Sequence, residues 1–386
     1  MKFGHFDDEQ KEYVIDTPYT PLPWINYLGG EDFFSIISNT AGGYSFYRDA
    51  KLRRITRYRY NSPATDNGGR YFYITDGETT FSPAFLPSKT PLDSYKCRHG
   101  LNYTVFESGK NKIMTELTCF VPQNDAMEIN LLKIRNEGDV TRKLSVYGGV
   151  EFCLWNAWDD MTNFQRNYNT GEVEIVTDKN YGAVYHKTEY RERRNHYAFF
   201  SLNSPVDGYD TDRDTFLGKF NGFDAPEAVR LGTSFNEKAS GRSPAAFLRK
   251  DVILEQNEEI SLIYILGYVE NDDDEKWEAP NVINKKKAAK MIDKYRDEKT
   301  VRRELERLKK DRISLLDNFS VKTNDEKFDR IVNIWNQYQC LITYLMSRSA
   351  SYYESGIGRG MGFRDSCQDL LGFVHMLPEK ARERII

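Results

Sequence analysis

The chain has 386 residues, with 54 Lys and Arg against 58 Asp and Glu, a formal net charge of −4. At about 100–200 residues per domain this length holds two or three domains; 39% hydrophobic and 29% charged residues exclude collagen-like, low-complexity and wholly disordered classes. The near-balanced charge disfavours a general nucleic-acid binder, whereas 25 Tyr and 23 Phe supply ring faces suited to flat, polar ligands.

The first ten residues, MKFGHFDDEQ, lack the apolar core of a secretory signal. No run approaches the ~18–20 apolar residues of a membrane span. A soluble, cytoplasmic protein with no membrane partner is the expectation. Cys97, Cys119, Cys153, Cys340 and Cys367 are scattered with no CxxC spacing, and no two His stand at i, i+4. Neither a disulfide framework nor a zinc site is implied, so no metal is expected.

Up to about residue 280, turn signals punctuate short runs of alternating apolar residues, which is strand behaviour. Glu128-Ile-Asn-Leu-Leu-Lys-Ile-Arg135, a turn at Asn136-Glu-Gly-Asp139 and Arg142-Lys-Leu-Ser-Val-Tyr147 read as a hairpin. Ala183–His186, His196–Leu202 and Ile260–Leu266 are further strands. About fifteen antiparallel strands are predicted, forming a large β-sandwich over 1–280.

The strands are expected to stop at Asn281. Residues 284–316 carry 13 Lys or Arg and 6 Asp or Glu, net +7, around a sparse stripe of Leu305, Leu308, Leu315 and Leu316. Interspersed signs favour a solvent-exposed connecting helix, the linker 281–318, over a nucleic-acid arm. Thr323-Asn-Asp-Glu326 fits a capping box with Thr323 as N-cap. Phe328, Ile331, Val332, Trp335, Tyr338, Leu341, Ile342 and Leu345 then recur at helical spacing over roughly six turns. A third helix is predicted near Asp365, where Asp365-Ser-Cys-Gln368 repeats the capping pattern, and a fourth opens at Pro378.

Two stretches carry candidate chemistry. Gly356-Ile-Gly-Arg-Gly-Met-Gly362 follows a helix and lacks a GK[ST] ending, so it does not read as a nucleotide loop. It does gather Arg348, Arg359, Arg364 and Asp365, and guanidinium forks suit phosphate and sugar hydroxyls. From spacing alone Asp365 reads equally as a helix N-cap and Arg359 as a surface charge. Glu151 to Asn167 mixes Trp155 and Trp158 with amides and carboxylates, a combination suited to carbohydrate or to an ordinary sandwich edge. Glu189–Arg194 reads as a solvated face. Carboxylates are too plentiful to assign a general acid.

Trp24-Ile-Asn-Tyr-Leu-Gly29, Ala41–Ala50, Arg57-Tyr-Arg-Tyr-Asn61, Glu151–Asn156, Tyr185–Arg194 and Asp210–Phe216 resemble the cellobiose phosphorylases of glycoside hydrolase family 94. The likeness is densest over Asn333–Cys340 and Gly356–Gly372. It implies a multidomain β + α protein: a large antiparallel β-sandwich, a helical linker and an (α/α)6 catalytic barrel. Twelve barrel helices far exceed what 319–386 holds, so that segment is expected to be a truncated beginning. The implied reaction is inverting phosphorolysis of cellobiose to α-glucose 1-phosphate and glucose by a homodimer. Inorganic phosphate is a co-substrate and no cofactor is needed. Phosphate is its own nucleophile, so only one carboxyl group, the proton donor, is required, together with cations to hold the phosphate.

Matched residue by residue, Arg359 and Asp365 hold the glucose on the cleaved side, Arg348 contacts phosphate and Arg166 the acceptor-side sugar. Cys367 receives no role. The implied general acid lies in a Trp-Asn-Asp segment that these 386 residues do not contain, so the chain alone is expected to be inactive. The alternatives are a non-catalytic carbohydrate-binding or dimerisation module, or a phosphorylase of cellodextrins or another β-linked disaccharide.

Overall fold

The computed structural model describes residues 2–58, 68–163, 171–188, 195–239, 241–346, 350–352 and 362–386. Two antiparallel sheets dominate. The larger has ten strands, in spatial order β1 (Gly4–Asp7), β2 (Glu12–Ile15), β9 (Ser94–His99), β10 (Tyr103–Lys110), β11 (Ile113–Phe120), β12 (Met127–Asn136), β19 (Glu259–Glu270), β16 (His196–Leu202), β15 (Gly182–Thr188) and β14 (Gly171–Thr177). The other runs β17 (Gly208–Asp212), β18 (Pro244–Leu254), β13 (Arg142–Trp155), β6 (Arg54–Thr56), β5 (Gly43–Tyr47), β4 (Phe33–Ser38) and β3 (Ile25–Gly29), with β7 (Arg70–Thr75) on β13 and β8 (Thr80–Phe81) on β7.

Side chains alternate across each strand, so both faces of a sheet need a partner. In β12, Leu132 and Ile134 join the inter-sheet core with Phe106, Leu117, Phe72, Val146 and Leu248. Ile129 and Leu131 point the other way, onto helices α4 (Lys286–Lys294) and α5 (Glu298–Leu316), where Ile292, Tyr295, Val301, Leu305 and Leu308 are buried. The charged linker is therefore a third layer rather than a solvent-exposed connector. Its apolar stripe is sparse because one narrow face is enough to cover a sheet. The outer face of the second sheet has two covers. Helices α2 (Arg213–Leu217) and α3 (Glu227–Leu231) lie over Tyr71, Tyr73, Tyr147 and Phe247. The C-terminal helices lie over Phe34, Ile36, Tyr44 and Phe46.

The described residues form 21 strands, more than the roughly fifteen expected; four of them, β6, β8 and the small hairpin β20 (Trp277–Ala279)–β21 (Val282–Ile283), are only two or three residues long. The hairpin also carries strand structure past Asn281. A larger correction concerns 128–147. β12 pairs β11 and β19, whereas β13 pairs β18, β7 and β6, so the turn between them carries the chain from one sheet to the other. β18 and β19 make a second crossing beside it, and one buried side chain joins the two. Asn136 Nδ2 donates to the carbonyls of Val140 (2.8 Å), Leu254 (3.0 Å) and Glu255 (3.2 Å), and its Oδ1 accepts from Gly138 N (2.9 Å). Its own backbone bonds Glu258 O and Asn257 N. Asn136→Ala strands these groups, and a loss of about 1–3 kcal/mol in urea denaturation is expected; an unchanged midpoint would contradict this role.

After α5 the chain enters α6 (Glu326–Arg330), a π-helical turn (Ile331–Asn336) and α7 (Gln337–Met346) as one helical run. The N-cap is Asp325, accepting from Lys327 N and Phe328 N, and not Thr323. Thr323 instead bonds the Asp329 carboxylate and accepts from Asp325 N. Helix α8 (Phe363–Leu371) and α9 (Pro378–Ile385) follow, with Pro378 in the first turn as predicted. Tyr338 ties the helices to the sandwich: its hydroxyl accepts from Asn102 N at 3.0 Å and lies 3.0 Å from Tyr27 O and 3.1 Å from Asn26 Oδ1.

Candidate functional site

Three described residues, 350–352, fix the chain between α7 and α8 to the sandwich. Tyr44 of β5 donates to Ser351 O and Tyr58 to Tyr352 O, each at 2.7 Å. The Tyr352 ring is buried, 5.2 Å from the Tyr58 ring, which stands 5.2 Å from Tyr44. Beneath them the buried Arg54 guanidinium lies 3.6 Å over the Tyr44 ring, a cation–π contact strengthened by exclusion of water. Arg348 and Arg359, predicted to bind phosphate and sugar, lie outside the described residues on either side of this anchor, as does Arg166.

Asp365 is described. It occupies the first turn of α8, whose N-cap is Gly362. The capping-box reading is therefore displaced: Asp365 is the third helical residue and not the cap. A Cβ built on Gly362 would come 2.8 Å from Asp365 Oδ2, so the half-buried carboxylate leans back over the helix N-terminus, where the helix dipole favours negative charge. Cys367 is exposed.

The second candidate stretch divides sharply. Trp155 is 2% exposed with φ +65°, packed against His186 at 5.4 Å and His196 at 4.4 Å. It belongs to the core and cannot face a sugar; its replacement would report on folding. Burial lowers the His186 pKa to about 4, so this imidazole is neutral in its apolar stack. Trp158, three residues on, is 46% exposed on the short helix α1 (Ala157–Thr162).

Helix α1 is held from below by charge. Asp160 accepts from Arg57 Nε at 2.9 Å and Nη2 at 2.7 Å, a bidentate pair with both side chains buried. Arg57 Nη1 reaches Glu151 Oε1 at 3.3 Å, and Arg213 reaches the same oxygen at 3.4 Å. Burial opposes the Arg57 charge, but the bonds to Asp160 and the Glu151 field hold its pKa above the ordinary value. Sequence reading missed Arg57 as the partner of Asp160; the two are 103 positions apart and no local spacing signals such a pair.

Ala157 of α1, Ala350, Tyr352 and Leu370 of α8 belong to a single apolar cluster on the outer face of β4 and β5. Among the described residues no group of three or more His, Cys, Asp or Glu could hold a metal ion, and no helix is long and apolar enough to cross a membrane.

A family model for the glycosyl hydrolase 94 supersandwich domain matches residues 11–298, and one for the glycosyl hydrolase 94 superfamily catalytic domain matches 312–386. The chain belongs to the glycosyl hydrolase 94 family. Glycosyl hydrolase 94 relatives include an N,N'-diacetylchitobiose phosphorylase of Vibrio proteolyticus, 33% identical over all of this chain and 46% of the relative. A solabiose phosphorylase of Paenibacillus borealis is 26% identical over 99% of the chain and 47% of the relative. The chain spans about half the length of these disaccharide phosphorylases. A human-microbiome protein provisionally assigned as a kojibiose phosphorylase shares the fold, with a TM-score of 0.51, 9% identity, and coverage of 90% of this chain and 42% of that one.

Proposed function

We propose that this chain serves inverting phosphorolysis of a β-linked disaccharide, with cellobiose the leading substrate and α-glucose 1-phosphate and glucose the products. The observation that carries the reading is the match of sandwich and catalytic-domain models in sequence, with Asp365 in the first turn of α8. In this reading Asp365 and Arg359 bind the sugar whose anomeric carbon is attacked, Arg348 binds phosphate and Arg166 the leaving sugar. Phosphate attacks from the face opposite the leaving oxygen, and a carboxylic acid protonates that oxygen. No residue of this chain matches the proton donor, and no cofactor or metal enters the reaction. In this reading the enzyme works in the cytoplasm as a homodimer. The names of the 33% and 26% identical relatives make N,N'-diacetylchitobiose and solabiose the principal competing substrates.

A panel of cellobiose, cellotriose, N,N'-diacetylchitobiose and solabiose with inorganic phosphate tests this. The 386-residue chain alone is expected to release no sugar 1-phosphate. Supplying in trans a polypeptide that carries the Trp-Asn-Asp segment and the remaining catalytic domain should restore release, fastest from cellobiose. Turnover by the chain alone would overturn the assignment of the missing acid. Silence of the complemented pair on every sugar would overturn phosphorolysis itself.

A further inference from the structure

We propose that Trp158 is a sugar-stacking residue, its indole a platform on a fixed helix for one pyranose ring of the disaccharide and a determinant of which sugar is accepted there. This rests on the disaccharide reading above.

All five tryptophans are described, and only Trp158 turns a large part of its surface to solvent. Trp24 packs on Phe3 and Tyr13, Trp335 on Phe6 and Tyr338, Trp155 on two histidines, and Trp277 beneath two lysines. Among the described residues no aromatic ring lies against Trp158. At 46% exposure the indole leaves apolar surface open to solvent, and covering such surface with a ligand is worth about 25 cal/mol per Å².

What holds the helix beneath that indole in place is costly. A six-residue helix is unstable by itself, and α1 is fixed at three points. Asn156 Oδ1 caps it through Trp158 N and Asp159 N, both at 3.1 Å. Ala157 N donates to Lys51 O at 2.7 Å. Asp160 takes both prongs of the buried Arg57 guanidinium. Burying an ion pair seldom stabilises a fold more than apolar residues of the same volume. Here it anchors one face of α1, and Trp158, two residues away and so about 200° round the helix, lies on the other, exposed face. Ala157, adjacent in sequence, is in the cluster joining sandwich to C-terminal helices, which also takes in Leu370 of α8, the helix that carries Asp365.

The chemistry fits a pyranose. Its axial C–H face is apolar and flat on the scale of an indole, and its hydroxyl edge seeks polar groups such as those of Asp159 and Asn163 in the same element. With the helix fixed before binding, only the two side-chain torsions of the indole remain to be ordered when the sugar arrives.

Calorimetric titration of the 386-residue chain with cellobiose and with N,N'-diacetylchitobiose, followed in parallel by indole fluorescence, tests the proposal. Trp158→Ala should weaken binding of the preferred sugar about five- to tenfold, the size of one aromatic contact, with circular dichroism unchanged because the side chain is exposed. Trp158→Phe should keep affinity within about threefold yet abolish the fluorescence change. Equal affinity of wild type and Trp158→Ala overturns the platform and leaves phosphorolysis standing. A Trp158→Ala change in oligomeric mass without a change in sugar affinity also overturns it, in favour of a protein contact. A wild-type chain that binds neither sugar overturns the platform, and the complementation assay then decides phosphorolysis separately.

Discussion

Glu128→Gln should destabilise the protein by about 3–5 kcal/mol, the loss associated with removing one partner of a buried ion pair. Glu128 is wholly buried in β12, facing the second sheet, and pairs with Arg70 of β7 through both carboxylate oxygens. Ser35 Oγ donates to Oε2 at 2.6 Å, Ser45 Oγ to the same oxygen at 3.2 Å, and Asn130 Nδ2 to Oε1 at 3.0 Å. Burial pushes the Glu128 pKa up, but Arg70 and these donors outweigh it, and the net direction is below the ordinary carboxylate value. The pair therefore contributes its full stability above the unfolded pKa near 4.5 and loses it as pH falls through the lower folded value.

Gln keeps the shape and one acceptor, and leaves the Arg70 guanidinium charged between two sheets. Arg70→Met alone strands the carboxylate and should cost as much. Glu128→Gln with Arg70→Met removes both charges together and should cost far less than the two single losses combined, because neither buried charge remains uncompensated. Urea denaturation of the four proteins at pH 7 measures the coupling. Additive single losses would show that the pair does not hold the sheets together.

The same buried pairs mark the limit of what could be read from the sequence. Strand periodicity located β15, β16 and β19, and proline chemistry located the start of α9, because those signals are local. The 128–147 segment misled because a crossing between sheets and a hairpin share one pattern: two apolar runs around Asn136-Glu-Gly-Asp139. What separates them is Asn136 reaching Leu254 and Glu255, more than a hundred residues away. Capping boxes failed by two or three positions at both helices, since any Asp, Ser or Thr near a helix start satisfies the motif. In the candidate site, composition drew attention to Trp155 and Trp158 together. Only burial distinguishes the core ring from the exposed one, and burial depends on His186 and His196 from distant strands. Arg166, Arg348 and Arg359 rest on resemblance alone, because they lie outside the described residues.

Asp210→Asn should raise stability at pH 8 by up to about 4 kcal/mol and leave it unchanged at pH 4. Asp210 lies in β17, buried beneath the segment that follows α3. Burial raises its pKa from 3.8 to about 7, and the donors around it do not cancel that effect. Phe235 N donates to Oδ1 at 2.7 Å. The nearby Arg249 guanidinium attracts the carboxylate, but it donates to Gly232 O at 2.6 Å and Asp207 O at 2.9 Å, and Asp251 lies 3.6 Å from it. Its charge is thus shared with backbone oxygens and a second carboxylate. Between pH 3.8 and about 7 the folded chain keeps a proton that the unfolded chain releases. Stability therefore falls as pH rises through this window and the penalty is complete above it. At about 1.4 kcal/mol per pKa unit the gap corresponds to about 4 kcal/mol. Asn retains the acceptor for Phe235 and carries no charge to desolvate, so its stability curve should lack this fall. Thermal or urea unfolding from pH 4 to pH 8.5 gives both curves. Parallel curves for wild type and variant would mean that Asp210 is ionised in the fold at no cost, and that Arg249 compensates it after all.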